Sequence, residues 1–321
     1  MDNLTHSLAG AVLGQMGLKR KTGLAMPTLI IAANIPDIDA VATLLGGVQH
    51  LGIRRGITHG PIALLLLPIL LWLIMLGYDR WLPKTDRPPV HKGWLLALAF
   101  IGTASHPALD WLNNYGIRLL EPFSGRWAYG DTIFIIDVWI WAALIGSVWL
   151  SRRREKRGQG DWQRPAWIGF TAICAYIFTN GLITGRAEAL TGQHVESELQ
   201  VIPDLVVANP VPLQFWKREM QWRNAQIYGE GEFSLPDHIR LIGPPRKHGM
   251  DDPRVAEAAR QSADGRAFLV WSRMPVAAQA GPGSKARTIL FDQRFAHPMA
   301  RDRFMVELPG PSLHSQNTGK P

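Results

Sequence analysis

Residues 60–77 contain no charged side chain and are almost entirely aliphatic. About 20 predominantly apolar residues in a helix cross the hydrocarbon core of a bilayer. A run of this length and composition predicts a transmembrane helix, and it restricts the N-terminal part of the chain to folds that suit a membrane. Three further apolar runs predict spans of the same kind, at residues 93–109, 132–150 and 166–183.

Two shorter apolar runs precede these spans, at residues 4–18 and 24–35. Both fall short of the length that crosses a bilayer, so they predict two short N-terminal helices. The chain is 47% hydrophobic and only 19% charged, and its apolar residues concentrate before residue 185 while charge and proline concentrate after it. We therefore predict an α-helical membrane domain at residues 1–185, with about four full transmembrane helices and two short ones.

Beyond the membrane domain, short runs of β-forming residues alternate with turn residues. They predict a small, mostly β soluble domain at residues 186–310, with one helix near residues 251–263. Residues 311–321 are predicted to be a disordered tail. The predicted strands cover residues 199–207, 227–233, 266–271, 288–291 and 304–308, and the turns include Asn209-Pro210, Gly243-Pro244-Pro245 and Gly281-Pro282-Gly283.

The 34 lysines and arginines exceed the 26 aspartates and glutamates, which gives a formal net charge of +8. No basic face or nucleic-acid-binding motif accompanies this charge, so a nucleic-acid partner is not predicted. The basic residues between the apolar runs concentrate in three alternate loops, at residues 19–21, 80–92 and 152–164. By the positive-inside rule these loops face the cytoplasm, which places the N-terminus and the region after residue 183 outside it. The single cysteine, Cys174, allows neither an intramolecular disulfide nor a cysteine-based zinc site.

Seven histidines and aspartates at or near the ends of the apolar runs all fall on the outer side in this topology. They come from separate segment ends, and a random distribution would place some of them on the cytoplasmic side. Because ionisable groups at membrane depth are costly and tend to be functional, this convergence predicts one polar site at one membrane face. The residues are His6, Asp37, Asp39, His59, His106, Asp110 and Asp131.

The residue types in this set suit a metal ion. His106 and Asp110 lie four residues apart and therefore share one face of a helix. The Pro36-Asp37-Ile38-Asp39 segment brings two carboxylates close together, and these repel each other unless a cation lies between them. One aspartate alone would instead be explained as a helix cap. Histidine nitrogens with carboxylate oxygens favour one or two zinc ions, with manganese or iron as alternatives.

Further polar residues have predicted roles around such a site. Asp110 or Asp131 could act as the general base. Asp137, placed about two turns inside its apolar run, could orient a ligand histidine or pair with an arginine. Three arginines on the same face could clamp a phosphate or, as the alternative, anchor to lipid headgroups: Arg54, Arg55 and Arg126.

A set of motifs runs through the first half of the chain in a fixed order. They are Thr5-His6, Pro36-Asp37-Ile38-Asp39, Arg55-Gly56-Ile57-Thr58-His59 and Ser105-His106-Pro107-Ala108-Leu109-Asp110, followed by Asn114-Tyr115-Gly116, Pro122-Phe123 and Ile136-Asp137. Over about residues 1–150 this set resembles the YdjM-like family of LexA-regulated bacterial inner-membrane proteins, which are described as metal-dependent hydrolases. Gly60 departs from the pattern, since a small hydroxyl residue is expected after His59.

The resemblance implies a protein of the bacterial inner membrane with a metal site formed by His6, Asp37, Asp39, His59, His106 and Asp110. We therefore expect a multi-pass, metal-dependent hydrolase with its site and its C-terminal domain on the periplasmic side. A metal-activated water would attack an ester or phosphoester. A site at headgroup level meets membrane lipids first, which favours a lipid or lipid-linked substrate.

Two alternatives are also compatible with the sequence. The first is a non-catalytic envelope scaffold whose metal is structural. A closed four-ligand site would favour this alternative, whereas an open coordination position would favour hydrolysis. The second is a transporter or channel, which only Asp137 supports.

Overall fold

The computed structural model of the protein describes residues 1–81, 88–280, 287–296 and 302–308. The chain divides into two compact units. The predicted tail at 311–321, the Gly281-Pro282-Gly283 turn and residues 82–87 of the second basic loop lie outside the described residues. The first unit comprises Met1–Asp39, Arg55–Ile183 and Pro210–Phe215, and the second comprises the described parts of Ala40–Arg54, Thr184–Asn209 and Trp216–Pro321.

Helices at the predicted apolar runs form the first unit. Two short 3-10 segments, Ile35–Leu45 and Ile57–His59, follow α2 and precede α3. The last helix, α6, continues into the second unit and ends well beyond the predicted boundary at residue 183. The helices are α1 (Asn3–Gln15), α2 (Ala25–Ala32), α3 (Pro61–Trp81), α4 (Lys92–Trp111), α5 (Val138–Lys156) and α6 (Arg164–Leu199).

Two of the described helices, α3 and α6, are long and apolar enough to cross a membrane. A third crossing is added if α2 and Ile35–Leu45, which meet at a bend of 42°, form one broken span. The predicted count of four full spans is therefore not confirmed. Helix α4 forms at its predicted run but ends in polar residues. Helix α5 begins six residues after the predicted start at 132 and ends in charged residues.

Close helix contacts position the ends of α1, α2, α4 and α5. A Cβ added to Gly102 of α4 would lie 2.6 Å from the Cβ of Ala32, so only glycine allows α2 and α4 to approach this closely. Leu29 of α2 is fully buried next to this contact. Val12 of α1 packs with Ile140 of α5 in a buried apolar cluster. The helices of this unit are thus fixed by apolar packing, and polar residues gather where the helices end.

Two sheets and two helices make up most of the second unit, which confirms the predicted mostly β domain. Four strands form a sheet in the order β1–β2–β3–β4, and three form a second sheet in the order β5–β6–β7. The β2–β3, β3–β4, β5–β6 and β6–β7 pairs are antiparallel. The elements are β1 (Leu205–Pro210), β2 (Lys217–Arg223), β3 (Ile227–Ser234), β4 (His238–Lys247), α7 (Pro253–Gln261), α8 (Ala263–Trp271), β5 (Pro275–Ala280), β6 (Arg287–Asp292) and β7 (Met305–Glu307).

The structure corrects part of the strand prediction. Residues 266–271 are helical and belong to α8, where Phe268 and Trp271 lie three residues apart and share a buried face. The predicted strand at 199–207 begins only at Leu205, because α6 continues to Leu199. Strands β2, β4 and β5 were not predicted. Strand β4 is rich in exposed polar and charged residues, and Arg240 on it pairs with a glutamate of β3 at 2.8 Å across the sheet.

Candidate metal centre

Helix α4 carries the first two residues of the site. His106 and Asp110 are fully buried, and His106 Nε2 lies 3.5 Å from Asp110 Oδ2. The predicted common helix face is therefore confirmed. His106 Nδ1 lies 2.7 Å from the carbonyl oxygen of Ala33, just beyond the end of α2. The close α2–α4 contact at Gly102, one turn before His106 in α4, brings the ring within hydrogen-bonding distance of this carbonyl.

His59 reaches the site from a tight turn before α3. It ends the 3-10 segment Ile57–His59, and Gly60 links that segment to Pro61, the first residue of α3. A Cβ added to Gly60 would lie 1.9 Å from the carbonyl oxygen of Glu121. The close approach of that loop explains why glycine stands where a small hydroxyl residue is expected.

Asp37 and Asp39 lie at the start of the 3-10 segment that follows α2. Asp37 Oδ1 is 3.7 Å from His106 Nε2. Asp39 Oδ2 accepts hydrogen bonds from the backbone N–H of Arg55 and from the hydroxyl of Thr58, both at 2.8 Å. Asp39 therefore holds the segment that presents His59.

Four buried residues offer atoms that could hold one metal ion. Asp37, His59, His106 and Asp110 each supply a nitrogen or oxygen, and these four atoms all lie within 4.8 Å of one another. His59 Nε2 and His106 Nε2 are 3.1 Å apart. Two nitrogen ligands of a tetrahedral zinc ion lie about 3.3 Å apart, so this spacing suits a shared ion.

Hydrogen bonding at the other ring nitrogens fixes the tautomers of both histidines. The carbonyl of Ala33 can only accept, so His106 Nδ1 must donate to it. The Thr58 hydroxyl gives its one proton to Asp39, so His59 Nδ1 donates to Thr58 Oγ1 at 2.9 Å. Both Nε2 atoms then face each other with lone pairs, an arrangement that requires a cation, either a proton or a metal ion, between them. The two nearby carboxylates complete the donor set that a divalent metal prefers.

His6 lies beside this cluster and is not one of its four members. Its ring stacks on His106 with centroids 3.8 Å apart, and its Nε2 is 3.3 Å from Asp110 Oδ1. The side chain is fully buried, and neither ring nitrogen makes a hydrogen bond with a described residue. The amino group of Met1 also contacts Asp110. His6 is therefore placed to support Asp110 and His106 from the side of α1.

Arg55 is buried against Asp110 and is not exposed for a substrate phosphate. Its Nη2 donates to Asp110 Oδ1 at 3.1 Å, and its Nε lies 3.0 Å from Asp110 Oδ2. Its Nη1 donates to Asn113 Oδ1 at 2.9 Å, and its guanidinium carbon lies 4.6 Å from the centre of the Tyr115 ring. Arg55 adopts a left-handed backbone conformation, with φ of 54°. The structure thus corrects the predicted substrate contact, since this guanidinium orients Asp110.

Asp137 does not lie inside a span. It is the N-cap of α5, where one carboxylate oxygen accepts from the backbone N–H groups of Trp139 and Ile140 at 3.0 and 3.1 Å. Its other oxygen accepts from the hydroxyl of Tyr176 at 3.0 Å. Capping and this hydrogen bond, rather than a ligand histidine or an arginine, satisfy Asp137.

The three remaining predicted residues do not belong to the four-residue cluster. Asp131 is buried in the first unit with a φ of 47°. Arg126 is exposed in the loop after α4. Arg54 belongs to the second unit, where its backbone N–H bonds to the carbonyl of His50. The roles of Asn113 and Ala33 were not predicted. A backbone carbonyl such as that of Ala33 has no sequence pattern, and Asn113 only adjoins the Asn114-Tyr115-Gly116 motif.

Gly60→Ala is expected to destabilise the first unit and to lower metal retention together. The added methyl group would meet the Glu121 carbonyl, and such overpacking costs about 1–3 kcal/mol. Gly77→Ala in α3 is the matched control, because a Cβ there has no described atom within 4 Å. Thermal unfolding and metal content of the two purified variants measure the effect. Equal unfolding temperatures and metal contents of the two variants would show that the loop around Glu121 moves to accommodate the methyl group without loss of stability.

Two apolar helices able to cross a membrane, together with a buried histidine–carboxylate cluster at the helix ends, define the class: an α-helical membrane protein that could hold a metal ion. The family model described as YdjM inner membrane protein matches residues 1–187, and the chain therefore belongs to that family. The predicted resemblance is thus confirmed. Comparison with curated proteins and comparison with solved structures find no match.

Proposed function

We propose that this protein is a membrane-bound, metal-dependent hydrolase. The observation that carries the proposal is the convergence of Asp37, His59, His106 and Asp110, whose ligand atoms lie within 4.8 Å of one another in a buried site. Zinc suits this mixed nitrogen and oxygen set, and manganese is the alternative, with one or two ions present. When bound, such an ion makes water acidic and stabilises negative charge that develops on an ester or phosphoester.

The position of Arg55 supports an open, catalytic coordination sphere. Because Arg55 contacts both oxygens of Asp110, the remaining ligands are two histidine nitrogens and the carboxylate of Asp37. Three protein ligands with one open position are typical of catalytic zinc. Asp110 Oδ2 lies 3.5 Å from His106 Nε2 and 3.6 Å from His59 Nε2, so it can accept a proton from a water molecule held between them. Asp131 is the alternative base.

The surroundings of the site favour a lipid or lipid-linked substrate. Ile38, between Asp37 and Asp39, is 61% exposed, and Ile57, two residues before His59, is 60% exposed. Phe123, which is 76% exposed, lies in the loop whose Glu121 carbonyl approaches Gly60. Apolar side chains exposed beside a polar centre suit a substrate with acyl chains.

Arginines could bind the charged part of such a substrate. Arg126 is exposed in the same loop as Phe123 and forms no ion pair with a described residue, so we assign it to a phosphate of the substrate. Arg54 remains a prediction for the same role. Arg55 is excluded from it by its contacts with Asp110.

Hydrolysis of phospholipids by the full-length protein tests the proposal. We expect reconstituted protein supplied with zinc or manganese to release product from at least one lipid phosphoester in a panel. Asp110→Asn should lower that rate by about 100- to 10,000-fold, because it removes the proton acceptor without changing the shape of the side chain. Asp251→Asn, at an exposed position of the second unit, is the control and should keep the full rate.

A structural metal site is the second candidate, and the burial of all four cluster residues favours it. In that case the ion would join helix ends in a non-catalytic envelope scaffold. Metal would then bind and its removal would lower the thermal stability, but no member of the lipid panel would be cleaved. That combination of results would replace the hydrolase with the scaffold.

We also propose a periplasmic position for the site and for the C-terminal unit, based on the basic loops at 19–21, 80–92 and 152–164. Alkaline phosphatase fused after Pro321 of the full chain should then be active, because it folds only outside the cytoplasm. The same reporter inserted after Gln159, between α5 and α6, should be inactive. The reverse pattern would invert the topology.

A further inference from the structure

A groove lies between α1 and α5, at the basic end of α5 and away from the metal centre. Its volume is about 650 Å³. The Trp141 indole donates to Thr5 near the start of α1, whereas Lys19 contacts Glu155 at the other end of α5. The groove is lined by the apolar residues Leu8, Ile145, Val148 and Trp149 and by the cations Arg152, Arg153, Lys156 and Arg157.

These four cations form no ion pair with any residue that the structure describes. Neighbouring cations differ, since Arg154 pairs with Asp161 at 2.6 Å and Lys19 pairs with Glu155. Four positive charges on two adjacent helical turns repel one another unless an anion neutralises them. The groove therefore has an excess of positive charge that the protein itself leaves uncompensated.

A second groove, of about 340 Å³, shares part of this lining. It has Val148, Arg152 and Lys156 in common with the first, and Ala11, Met26 and Ile30 add apolar surface from α1 and α2. Its remaining lining is Gln15 and the ion pair of Lys19 with Glu155, so Arg152 and Lys156 are its cations without a partner among the described residues. Arg152 and Lys156 are four residues apart and therefore lie on one face of α5, where the two grooves adjoin. Cations at the junction of two apolar grooves match a molecule that has an anionic head and apolar chains.

We propose that these grooves bind an anionic phospholipid, with its phosphate on Arg152, Arg153, Lys156 and Arg157 and its acyl chains along the apolar walls. Basic pockets between transmembrane helices on the cytoplasmic side bind anionic headgroups in this way. The apolar walls distinguish the ligand from a soluble phosphate compound, which would leave them exposed to water. Trp149 is 56% exposed beside the cations, as expected for a side chain at the membrane interface. The site is independent of the proposed hydrolase activity.

Lipid titration of the full-length protein in detergent, followed by native mass spectrometry, tests this site. The wild-type protein should bind phosphatidylglycerol at least about tenfold more tightly than phosphatidylcholine. The double variant Arg152→Gln/Lys156→Gln should lose that preference, because it removes both cations shared by the two grooves. The variant should unfold at the same temperature as the wild type, which shows that it is folded. Its metal content should also equal that of the wild type, because the metal centre does not include these residues.

The matched control is Arg154→Gln/Arg164→Gln, which removes the same charge near the same end of α5 but changes no residue that lines either groove. This control should retain the preference for phosphatidylglycerol. An equal loss in both double variants would reduce the effect to general charge and overturn the proposal. Displacement of the lipid by inorganic phosphate alone would also overturn it, because the cations would then hold a free anion.

Discussion

His106→Ala is expected to remove the bound metal from the purified full-length protein while leaving the protein in the membrane. The substitution deletes Nε2, which lies 3.1 Å from His59 Nε2 and within reach of Asp37 and Asp110. Loss of a group that only orients a ligand already weakens metal binding by 10- to 100-fold. Loss of the ligand itself should therefore weaken it by more than about 100-fold, as measured by elemental analysis after gel filtration in detergent.

Two further variants make the metal result decisive. His106→Asn keeps an amide N–H close to the position of Nδ1, so it can still donate to the Ala33 carbonyl while lacking the ligand nitrogen. His238→Ala, at an exposed position of β4, is the control and should retain the metal. Full metal content in a folded His106→Asn variant would show that His106 is not a ligand. Absence of metal from carefully handled wild-type protein would leave a proton between the two histidines.

Arg55→Met is expected to destabilise the chelator-treated protein by about 3–5 kcal/mol, since it leaves the buried carboxylate of Asp110 without its guanidinium partner. Methionine keeps much of the bulk of the side chain, although it loses the cation–π contact with Tyr115. Arg126→Met changes the same charge at an exposed position and should shift stability by no more than about 0.5 kcal/mol. Thermal or chemical unfolding in detergent measures both effects.

A double-mutant cycle separates the Arg55–Asp110 interaction from the general cost of changing either residue. In Arg55→Met/Asp110→Asn, the carboxylate charge that pairs with the guanidinium is removed as well. The loss of unfolding free energy in the double variant should therefore be smaller than the sum of the losses in the two single variants. Additive effects would mean that the two residues do not interact. If Arg55→Lys restores the charge but not the stability, the two-point contact rather than the charge alone positions Asp110.

These two predictions test different parts of the centre. His106 tests whether an ion is held, and Arg55 tests whether Asp110 is oriented by the protein before any ion arrives. Retention of metal with loss of hydrolysis in an Asp110 variant would favour three ligands and a separate base. Loss of metal in the same variant would make Asp110 the fourth ligand and favour a structural site.

The sequence by itself determined most of the helical segments of the first unit and which histidines and aspartates form the four-residue cluster. A charge-free run such as 60–77 must form its backbone hydrogen bonds locally, so its helix depends on little beyond the run itself. The spacing of His106 and Asp110 likewise fixes a shared face through helix geometry alone. Short apolar runs were less informative. Residues 266–271 were predicted to be a strand but form a helix, and the prediction was wrong because composition does not distinguish a strand from a buried helix of the same length.

Only the tertiary structure decided which groups meet across the chain. Arg55 and Asp110 are 55 residues apart, and no local pattern distinguishes a guanidinium buried on a carboxylate from one exposed to lipid headgroups. The same holds for the Ala33 carbonyl that fixes the tautomer of His106, and for the Glu121 carbonyl that requires glycine at position 60. The hydrogen bond from the Tyr176 hydroxyl to Asp137 also joins two helices and has no counterpart in a local pattern. Periodicity determines which residues are neighbours within one helix or strand. Partners on different elements depend on how closely those elements pack, and a one-dimensional pattern does not contain that information.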